Sequence, residues 1–140
     1  MEDKQIEQYL KKINFDKQYK KFIKKYKDKK IIIYGAGQFF RIIFSKYDFS
    51  MLNIIGICDR SFSKTGIKEF YGYKTIFVED LYNYEPDLIV TATLEYLNLI
   101  EYIQKDIFHE KKMEIRPLAY MPMGMFLREL IFGPDKYSPA

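Results

Sequence analysis

Short, continuous apolar runs are the clearest pattern in the chain after residue 29. The runs KIIIY (30–34), NIIGICD (53–59) and DLIVTAT (87–93) are rich in β-branched residues and are bounded by charged residues or glycine. A strand that is buried on both faces of a sheet has this composition, because it has no solvent-facing side on which polar residues would alternate. The three runs therefore predict three buried β-strands.

Helical spacing separates these runs. Apolar residues recur at i, i+3, i+4 and i+7 from Phe40 to Tyr47, and again from Tyr96 onwards, which predicts a helix after the first run and another after the third. A shorter helical stretch, VEDLYNY (78–84), lies between the second and third runs. Alternating strands and helices are typical of a parallel sheet with helices on its faces.

Weaker segments complete the predicted sheet. MEIRP (113–117) is expected to add a last strand, and Tyr73–Val78 a weak edge strand. The polar stretch between Asp59 and Thr75, which contains two glycines, is predicted to be a loop. The resulting fold is a three-layer α/β domain with a short parallel sheet of about five strands.

The first 29 residues form a separate pattern. Apolar side chains at helical spacing run from Ile6 to Ile13 and from Tyr19 to Tyr26, with Asp16 as the expected N-cap of the second helix. Residues 1–30 hold 11 lysines and five acidic residues. Two helices packed on the main domain with a solvated lysine face explain this segment; a basic arm for nucleic acid or anionic lipid is the alternative. Nucleic acid is the weaker idea, since arginine, absent from this segment, is the better phosphate ligand.

Length and composition suit one compact domain. The 140 residues are 48% hydrophobic, and we divide them into a helical segment (1–29), an α/β domain (30–120) and an apolar C-terminal helix with a tail (121–140). No apolar run reaches the roughly 18 residues of a membrane span, and the N-terminus is polar, so we expect a soluble, cytoplasmic protein. The single cysteine, Cys58, excludes an intramolecular disulfide and is expected to be buried.

A glycine turn joins the first predicted strand to its helix. Gly35 and Gly37 lie between the two elements, where a first glycine permits a tight turn and a second lets a phosphate approach the backbone N–H groups of the helix's first turn. Asp59 follows 22 residues after Gly37, at the end of the second strand, where an acid accepts hydrogen bonds from ribose in dinucleotide-binding domains. The alternative is that both glycines only shape the turn and Asp59 is a solvated loop acid.

Phe40 occupies the position of the third glycine in the G-x-G-x-x-G pattern. That glycine normally allows the helix to lie close to the strand. Because Phe40 shares a face with Ile43, Phe44 and Tyr47, we expect it to fill the wider gap as a core residue. The N–H donors of Ala36 to Phe39 are unaffected by this change.

These segments resemble the Rossmann-like nucleotide-binding domain of bacterial nucleotide-sugar and surface-polysaccharide proteins. The resemblance covers about residues 30–93 and includes the run Gly56 to Gly66 that follows the glycine turn in those proteins. It implies that the turn faces a diphosphate, that Asp59 faces a ribose or base and Lys64 a phosphate, and that the end of the DLIVTAT strand forms the crevice wall. The residues so implied are Gly35, Ala36, Gly37, Gln38 and Phe39 for the turn; Asp59, Arg60 and Lys64 after the second strand; and Thr91, Ala92 and Thr93 at the wall.

The resemblance also implies a ligand class. Phe40 at the third glycine position and Arg60 in place of a second acid count against a dinucleotide such as NAD more than against a UDP-type nucleotide sugar. We therefore expect a nucleotide or nucleotide-sugar binding domain for cell-surface polysaccharide biosynthesis that is not catalytic alone. An NAD(P)-dependent oxidoreductase or epimerase and an interaction domain with a vacant crevice are the alternatives.

Catalytic motifs are absent from the sequence. It contains no G-x-S-x-G elbow, P-loop, H-E-x-x-H or C-x-x-C. The one Tyr-x-x-x-Lys spacing, Tyr26 to Lys30, precedes the first strand, and His109, the only histidine, lies at the polar end of a predicted helix. No catalytic or metal-binding residue is predicted.

The C-terminal segment is strongly apolar. Residues 121–132 contain methionine, phenylalanine, leucine and isoleucine in excess of what a terminal helix usually leaves in water. Docking on the protein's own core is one explanation, and a homodimer formed through this helix is the other. Residues 134–140 are predicted to be a frayed tail.

Overall fold

The protein is a layered α/β structure in a computed structural model that describes residues 1–109 and 111–133. Its helices are α1 (Asp3–Lys12), α2 (Phe15–Tyr26), α3 (Gln38–Lys46), α4 (Ser61–Thr65), α5 (Tyr96–Tyr102) and α6 (Met123–Phe132), with a 3-10 segment at Val78–Asn83 and a π-helical turn at Ile103–Ile107. Its strands are β1 (Lys30–Tyr34), β2 (Asn53–Cys58), β3 (Glu69–Phe70), β4 (Tyr73–Ile76), β5 (Leu88–Thr91) and β6 (Ile115–Pro117).

The strands form one sheet in the order β3-β4-β2-β1-β5-β6. All neighbouring pairs are parallel except β3 with β4. From β1 the chain adds β2, β4 and β3 on one side of the sheet and then β5 and β6 on the other. The strand order therefore reverses between β1 and β5. The three-layer α/β fold and the mostly parallel sheet predicted from the apolar runs are confirmed.

Two hydrophobic clusters cover the two faces of the sheet. Alternate residues of β1 contribute to each, as the two-residue period of a strand requires. Ile31 and Ile33 pack in the cluster that contains α1, α2 and α3, whereas Ile32 and Tyr34 pack in the cluster that contains the π-helical turn after α5. The helices that follow β1 and β5 cover opposite faces of the sheet. They leave a crevice where the strand order reverses, beyond the carboxyl ends of β1 and β5.

The N-terminal helices belong to the larger of these clusters. Ile6, Tyr9, Phe15 and Tyr19 are all buried. The predicted N-cap at Asp16 is wrong, because the left-handed backbone of Asn14 (φ 56°) starts α2 at Phe15 and places Asp16 inside the first turn.

The segment between β2 and β4 differs from the prediction. It was expected to be a loop, but it contains α4, which ends at a left-handed Gly66 (φ 67°), and the strand β3. Positive φ angles at Tyr71 and Gly72 make a two-residue hairpin between β3 and β4. The sheet therefore has six strands, and β4, predicted as an edge, is covered by β3. Elements of five and two residues are too short to show a hydrophobic period.

Phe40 is fully buried, as predicted. Its ring lies 5.3 Å from that of Phe44 and 5.8 Å from that of Phe70, centroid to centroid. It belongs to a set of touching rings, here called the aromatic cluster: Phe15, Tyr19, Phe40, Phe44, Tyr47, Phe49, Phe70 and Tyr71. The side chain that replaces the third glycine is thus a core residue.

Helix α6 exposes most of its apolar side chains. Leu130, Ile131 and Phe132 are between 67% and 80% exposed. The helix is held at its start by Met121 and Met125, which pack on the larger cluster, and by an ion pair between Lys12 and Glu129. No helix among residues 1–109 and 111–133 combines the length and apolarity needed to cross a membrane. The predicted tail at 134–140 lies outside the described residues.

Candidate functional site

The glycine turn lies at the crevice, directly after β1. Gly35 has φ +122°, a conformation that L side chains rarely adopt. A Cβ at this residue would lie 2.9 Å from the Ala92 carbonyl oxygen and 3.2 Å from Cγ2 of Thr93. Gly35 is therefore required for close contact between the loops that follow β1 and β5.

Gly37 has a different role. Its backbone is extended (φ −92°, ψ −158°), and it is the N-cap of α3. No atom lies within 4 Å of the position that a Cβ would take, so the space in front of the helix is open. The first four N–H groups of a helix have no partner within the helix, and at α3 these include the N–H groups of Gln38 and Phe39.

Phe39 and Gln38 present their side chains elsewhere. Phe39 is buried in the larger cluster, so only its backbone is available at the turn. The Gln38 amide donates to the carbonyl oxygen of Met1 at 2.8 Å and to Oδ1 of Asp3 at 2.7 Å. Arg41 also contacts Asp3 at 3.3 Å. These partners hold α1 against the first turn of α3, and they lower the pKa of the Asp3 carboxyl.

Asp59 holds the turn in place. Its Oδ2 accepts a hydrogen bond from the backbone N–H of Ala36 at 2.8 Å, and its Oδ1 accepts two from the N–H and hydroxyl of Ser61 at 2.9 and 2.8 Å. The carboxylate therefore connects the glycine turn to the start of α4. One of the four N–H donors predicted for the turn, that of Ala36, is occupied by this contact.

Arg60 and Lys64 are the two positively charged residues among the predicted site residues. Arg60 is exposed, and its guanidinium carbon lies 5.3 Å from the centroid of the Tyr102 ring, an arrangement typical of a cation–π contact. Lys64 is exposed in α4. Asp59 and Arg60 thus lie directly beyond the carboxyl end of β2, next to β1 in the sheet.

The wall residues are Thr91, which ends β5, and Ala92 and Thr93, which follow it. The backbone N–H of Ala92 donates to the Tyr34 carbonyl oxygen at 2.9 Å, which joins the wall to the end of β1. The hydroxyls of Thr91 and Thr93 are buried and have no hydrogen-bond partner within the described part of the chain. The glycine turn, Asp59 and the wall are therefore brought together at one edge of the sheet, whereas no contact joins Lys64 to them in the described part of the chain.

Tyr34 and Tyr102 are site residues that the sequence reasoning missed. Tyr34 ends β1 opposite Thr91, and its buried hydroxyl has no hydrogen-bond partner in the described residues. Burial raises the pKa of this hydroxyl, and the nearby Arg60 guanidinium opposes that rise. A polar ring ending a run of isoleucines immediately before the glycine turn was the signal available in the sequence.

The site offers binding groups more than reactive ones. Burial raises the pKa of the Cys58 thiol to about 12, with Asp59 adding to the effect, which keeps the thiol protonated and unreactive near neutral pH. His109 comes after the π-helical turn, at the far end of the α5 crossover from the crevice. Among the described residues, no group of three or more His, Cys, Asp or Glu side chains is placed to hold a metal ion.

Comparison with known proteins leaves the geometry as the basis for function. The chain matches no protein-family model, no curated protein and no solved structure.

Proposed function

We propose that the protein binds a nucleotide or nucleotide sugar in the crevice beyond β1 and β5. The observation that carries this proposal is the open space at Gly37, directly in front of the first turn of α3. A phosphate placed there meets unpaired backbone N–H groups and the positive end of the helix dipole. The neighbouring cations Arg60 and Lys64 favour the same kind of ligand.

The proposal assigns different tasks to the two glycines and the acid. Gly35 joins the loops, Gly37 admits the phosphate, and Asp59 fixes the turn through Ala36 while keeping lone pairs for a ribose hydroxyl. This combination favours a ligand with one ribose and a phosphate chain. Phe40 holds the turn of α3 away from the strand, which favours a UDP-type nucleotide sugar over NAD.

The process that we propose is cell-surface polysaccharide biosynthesis, with the domain acting beside a catalytic partner. This part rests on the resemblance of the residues from Lys30 to Thr93 to nucleotide-sugar proteins. The geometry of the site agrees with a binding role, because its described side chains are hydroxyls, a guanidinium and a carboxylate that holds the turn.

A thermal-shift panel tests this proposal. The ligands are UDP, UDP-glucose, NAD, NADP and coenzyme A. A ligand at 100 times its dissociation constant stabilises the fold by about 2.7 kcal/mol, which raises the Tm by several degrees in a domain of this size. UDP or the UDP-sugar should give the largest shift. A panel without any shift would contradict the proposal, and a larger shift with NAD would favour the oxidoreductase alternative.

We also propose that α6 forms a symmetric dimer with a second copy of the chain. Most of its exposed apolar residues lie on one stripe, with Met123, Leu127 and Leu130 at helical spacing. A self-complementary apolar patch of this kind is what a two-fold interface buries. Replacement of Phe126 and Ile131 by Asp should convert a dimer to a folded monomer in light scattering, and a parent that is monomeric at high micromolar concentration would contradict the dimer.

A further inference from the structure

Three buried hydroxyls at the crevice have no hydrogen-bond partner. They belong to Tyr34, Thr91 and Thr93, and they are the buried side-chain polar atoms found without a partner in the part of the chain that the structure describes. Tyr34 is 4% exposed and Thr91 is fully buried. A buried hydroxyl without a partner destabilises a fold, so its presence needs a cause.

Other buried hydroxyls of the protein are satisfied. Tyr19 is as buried a residue as Tyr34, and its hydroxyl donates to the Asp48 carbonyl oxygen at 2.8 Å. The Thr75 hydroxyl donates to the Ile67 carbonyl oxygen at 2.6 Å. The unpartnered hydroxyls are therefore a feature of the crevice, because the same side chains find partners elsewhere.

The three residues that carry these hydroxyls lie at one edge of the sheet. Tyr34 and Thr91 are opposite each other in the register of β1 and β5, and both side chains leave the sheet on the face covered by α5. Thr93 comes two residues after Thr91, in the loop that follows β5. All three are thus at the carboxyl edge of the sheet, at the point where the strand order reverses. In folds of this topology, ligands bind at this point.

Arg60 is the charged group at the Tyr34 hydroxyl. It is close enough to oppose the rise in the pKa of Tyr34, and Tyr102 is close to the same hydroxyl. Arg60 forms no ion pair among the described residues, and its neighbour Asp59 is bonded to Ala36 and Ser61. Its cation–π contact with the Tyr102 ring is a weak interaction. The guanidinium is therefore free to turn to another partner.

We infer that the α5 side of the crevice binds an anionic oxygen group of the ligand, a phosphate or a carboxylate, through Arg60 and the hydroxyls of Tyr34, Thr91 and Thr93. A guanidinium binds such a group with two parallel hydrogen bonds, and hydroxyls donate to its remaining lone pairs. On binding, Arg60 leaves the Tyr102 ring and uncovers the hydroxyls. This inference rests on the proposed function and adds a second anionic contact to the one at Gly37.

Two parts of a nucleotide sugar carry this chemistry. One is the diphosphate itself, and the other is the carboxylate of a sugar acid. UDP, UDP-glucose and UDP-glucuronic acid distinguish them, because a carboxylate site binds the last ligand at least about tenfold more tightly than UDP-glucose, whereas a phosphate site binds all three alike. Inorganic phosphate and free glucuronate are included as probes without a nucleoside.

The variants are Arg60→Met, Tyr34→Phe and Thr91→Val, with Tyr19→Phe as the matched control. Affinity is measured by isothermal titration calorimetry and Tm by calorimetry without ligand. The crevice variants should bind the anionic probe about tenfold or more weakly. Tyr34→Phe and Thr91→Val should keep or raise the Tm, because each removes an unpartnered hydroxyl. Tyr19→Phe should lower the Tm and leave affinity unchanged.

The outcomes separate this inference from the proposed function. Parent affinity for UDP ligands in Arg60→Met and Tyr34→Phe would overturn the inference and leave the nucleotide proposal standing. Arg60-dependent binding of phosphate or glucuronate without any nucleotide binding would support the inference and contradict the nucleotide. Binding of no probe would overturn both. A Tm in Tyr34→Phe as low as in Tyr19→Phe, with parent affinity, would show that the hydroxyl is satisfied by water and would also overturn the inference.

Discussion

The aromatic cluster and the crevice differ in whether their tyrosine hydroxyls have hydrogen-bond partners. In the aromatic cluster, the Tyr19 hydroxyl donates to the Asp48 carbonyl and the Tyr47 hydroxyl to the Asp16 carboxylate. In the crevice, Tyr34 is equally buried and its hydroxyl has no partner in the described residues. Residues that only build the fold have satisfied polar groups, whereas residues at the crevice keep polar groups available at some loss of stability.

The same contrast separates the two glycines of the turn. Gly35 is confined by Ala92 and Thr93, so its missing side chain serves the packing of the protein. Gly37 has open space in front of it. A glycine that no internal contact requires, at the N-cap of a helix beside unpartnered hydroxyls, is the more specific indication of a ligand. Packing and binding are therefore separable by mutation.

The largest expected effect is in the aromatic cluster. Phe40→Ala should lower the free energy of unfolding by about 3 to 5 kcal/mol, because it removes a fully buried ring that contacts Phe44 and Phe70. Urea unfolding followed by circular dichroism measures this change. Phe126→Ala on α6, where the ring is 38% exposed, is the matched control and should have a much smaller effect.

This variant also tests the part that Phe40 plays at the third glycine position. If Phe40 is a core residue, nucleotide affinity in the surviving folded protein should not increase. Tighter NAD binding by Phe40→Ala than by the parent would show that the ring blocks a dinucleotide, and it would weaken the distinction between the aromatic cluster and the crevice.

Gly35→Ala should have the next largest effect. The added Cβ meets the Ala92 carbonyl oxygen at 2.9 Å and requires φ +122° in an L residue, so we expect a loss of about 2 to 3 kcal/mol in the free energy of unfolding. Urea unfolding again provides the measurement. An unchanged stability would mean that the two loops can separate without loss, contrary to the packing role assigned to this glycine.

The stability of the protein at alkaline pH tests whether folding keeps the Tyr47 hydroxyl of the aromatic cluster protonated. Burial and the hydrogen bond to Asp16 raise the pKa of Tyr47 to about 12, above its value of about 10 in the unfolded chain. The folded protein therefore holds its proton more tightly, and this contribution is full below pH 10 and is lost as pH rises towards 12. For this partly exposed side chain we expect about 1 kcal/mol.

The measurement is the free energy of unfolding at several pH values between 9 and 12, compared between the parent and Tyr47→Phe. The variant should lose less stability over this range. Equal pH dependence in the two proteins would show that the Tyr47 proton is not linked to folding.

The strands that build the crevice could be predicted because long apolar runs and their order leave few alternatives. KIIIY, LIVT and the second half of NIIGIC are buried, and the glycine after β1 and the acid after β2 mark the carboxyl edge. The elements α4 and β3 could not, since five and two residues show no period and the turn at Tyr71 lacks the usual asparagine or aspartate.

The site was predictable by position but not by contact. Its residues were expected at one edge, and they are found there. The hydrogen-bond partners of these side chains could not be predicted from the sequence. Asp59 accepts from Ala36, and Gln38 donates to Asp3, which is 35 positions away. Tyr34 was missed because, in a run of isoleucines, an aromatic ring is indistinguishable from core until its hydroxyl is seen without a partner.

The smallest effect on stability, and the largest on binding, is expected at Gly37. Its extended backbone is accessible to any residue and its Cβ position is free of contacts, so Gly37→Val should change the free energy of unfolding by less than about 1 kcal/mol. The valine side chain would occupy the approach to the N–H groups of Gln38 and Phe39. Nucleotide affinity should fall at least about tenfold, with Gly37→Ala intermediate. Titration calorimetry with the best ligand of the panel measures the loss, and parent affinity in Gly37→Val would exclude a phosphate at this turn, leaving both glycines to serve the fold alone.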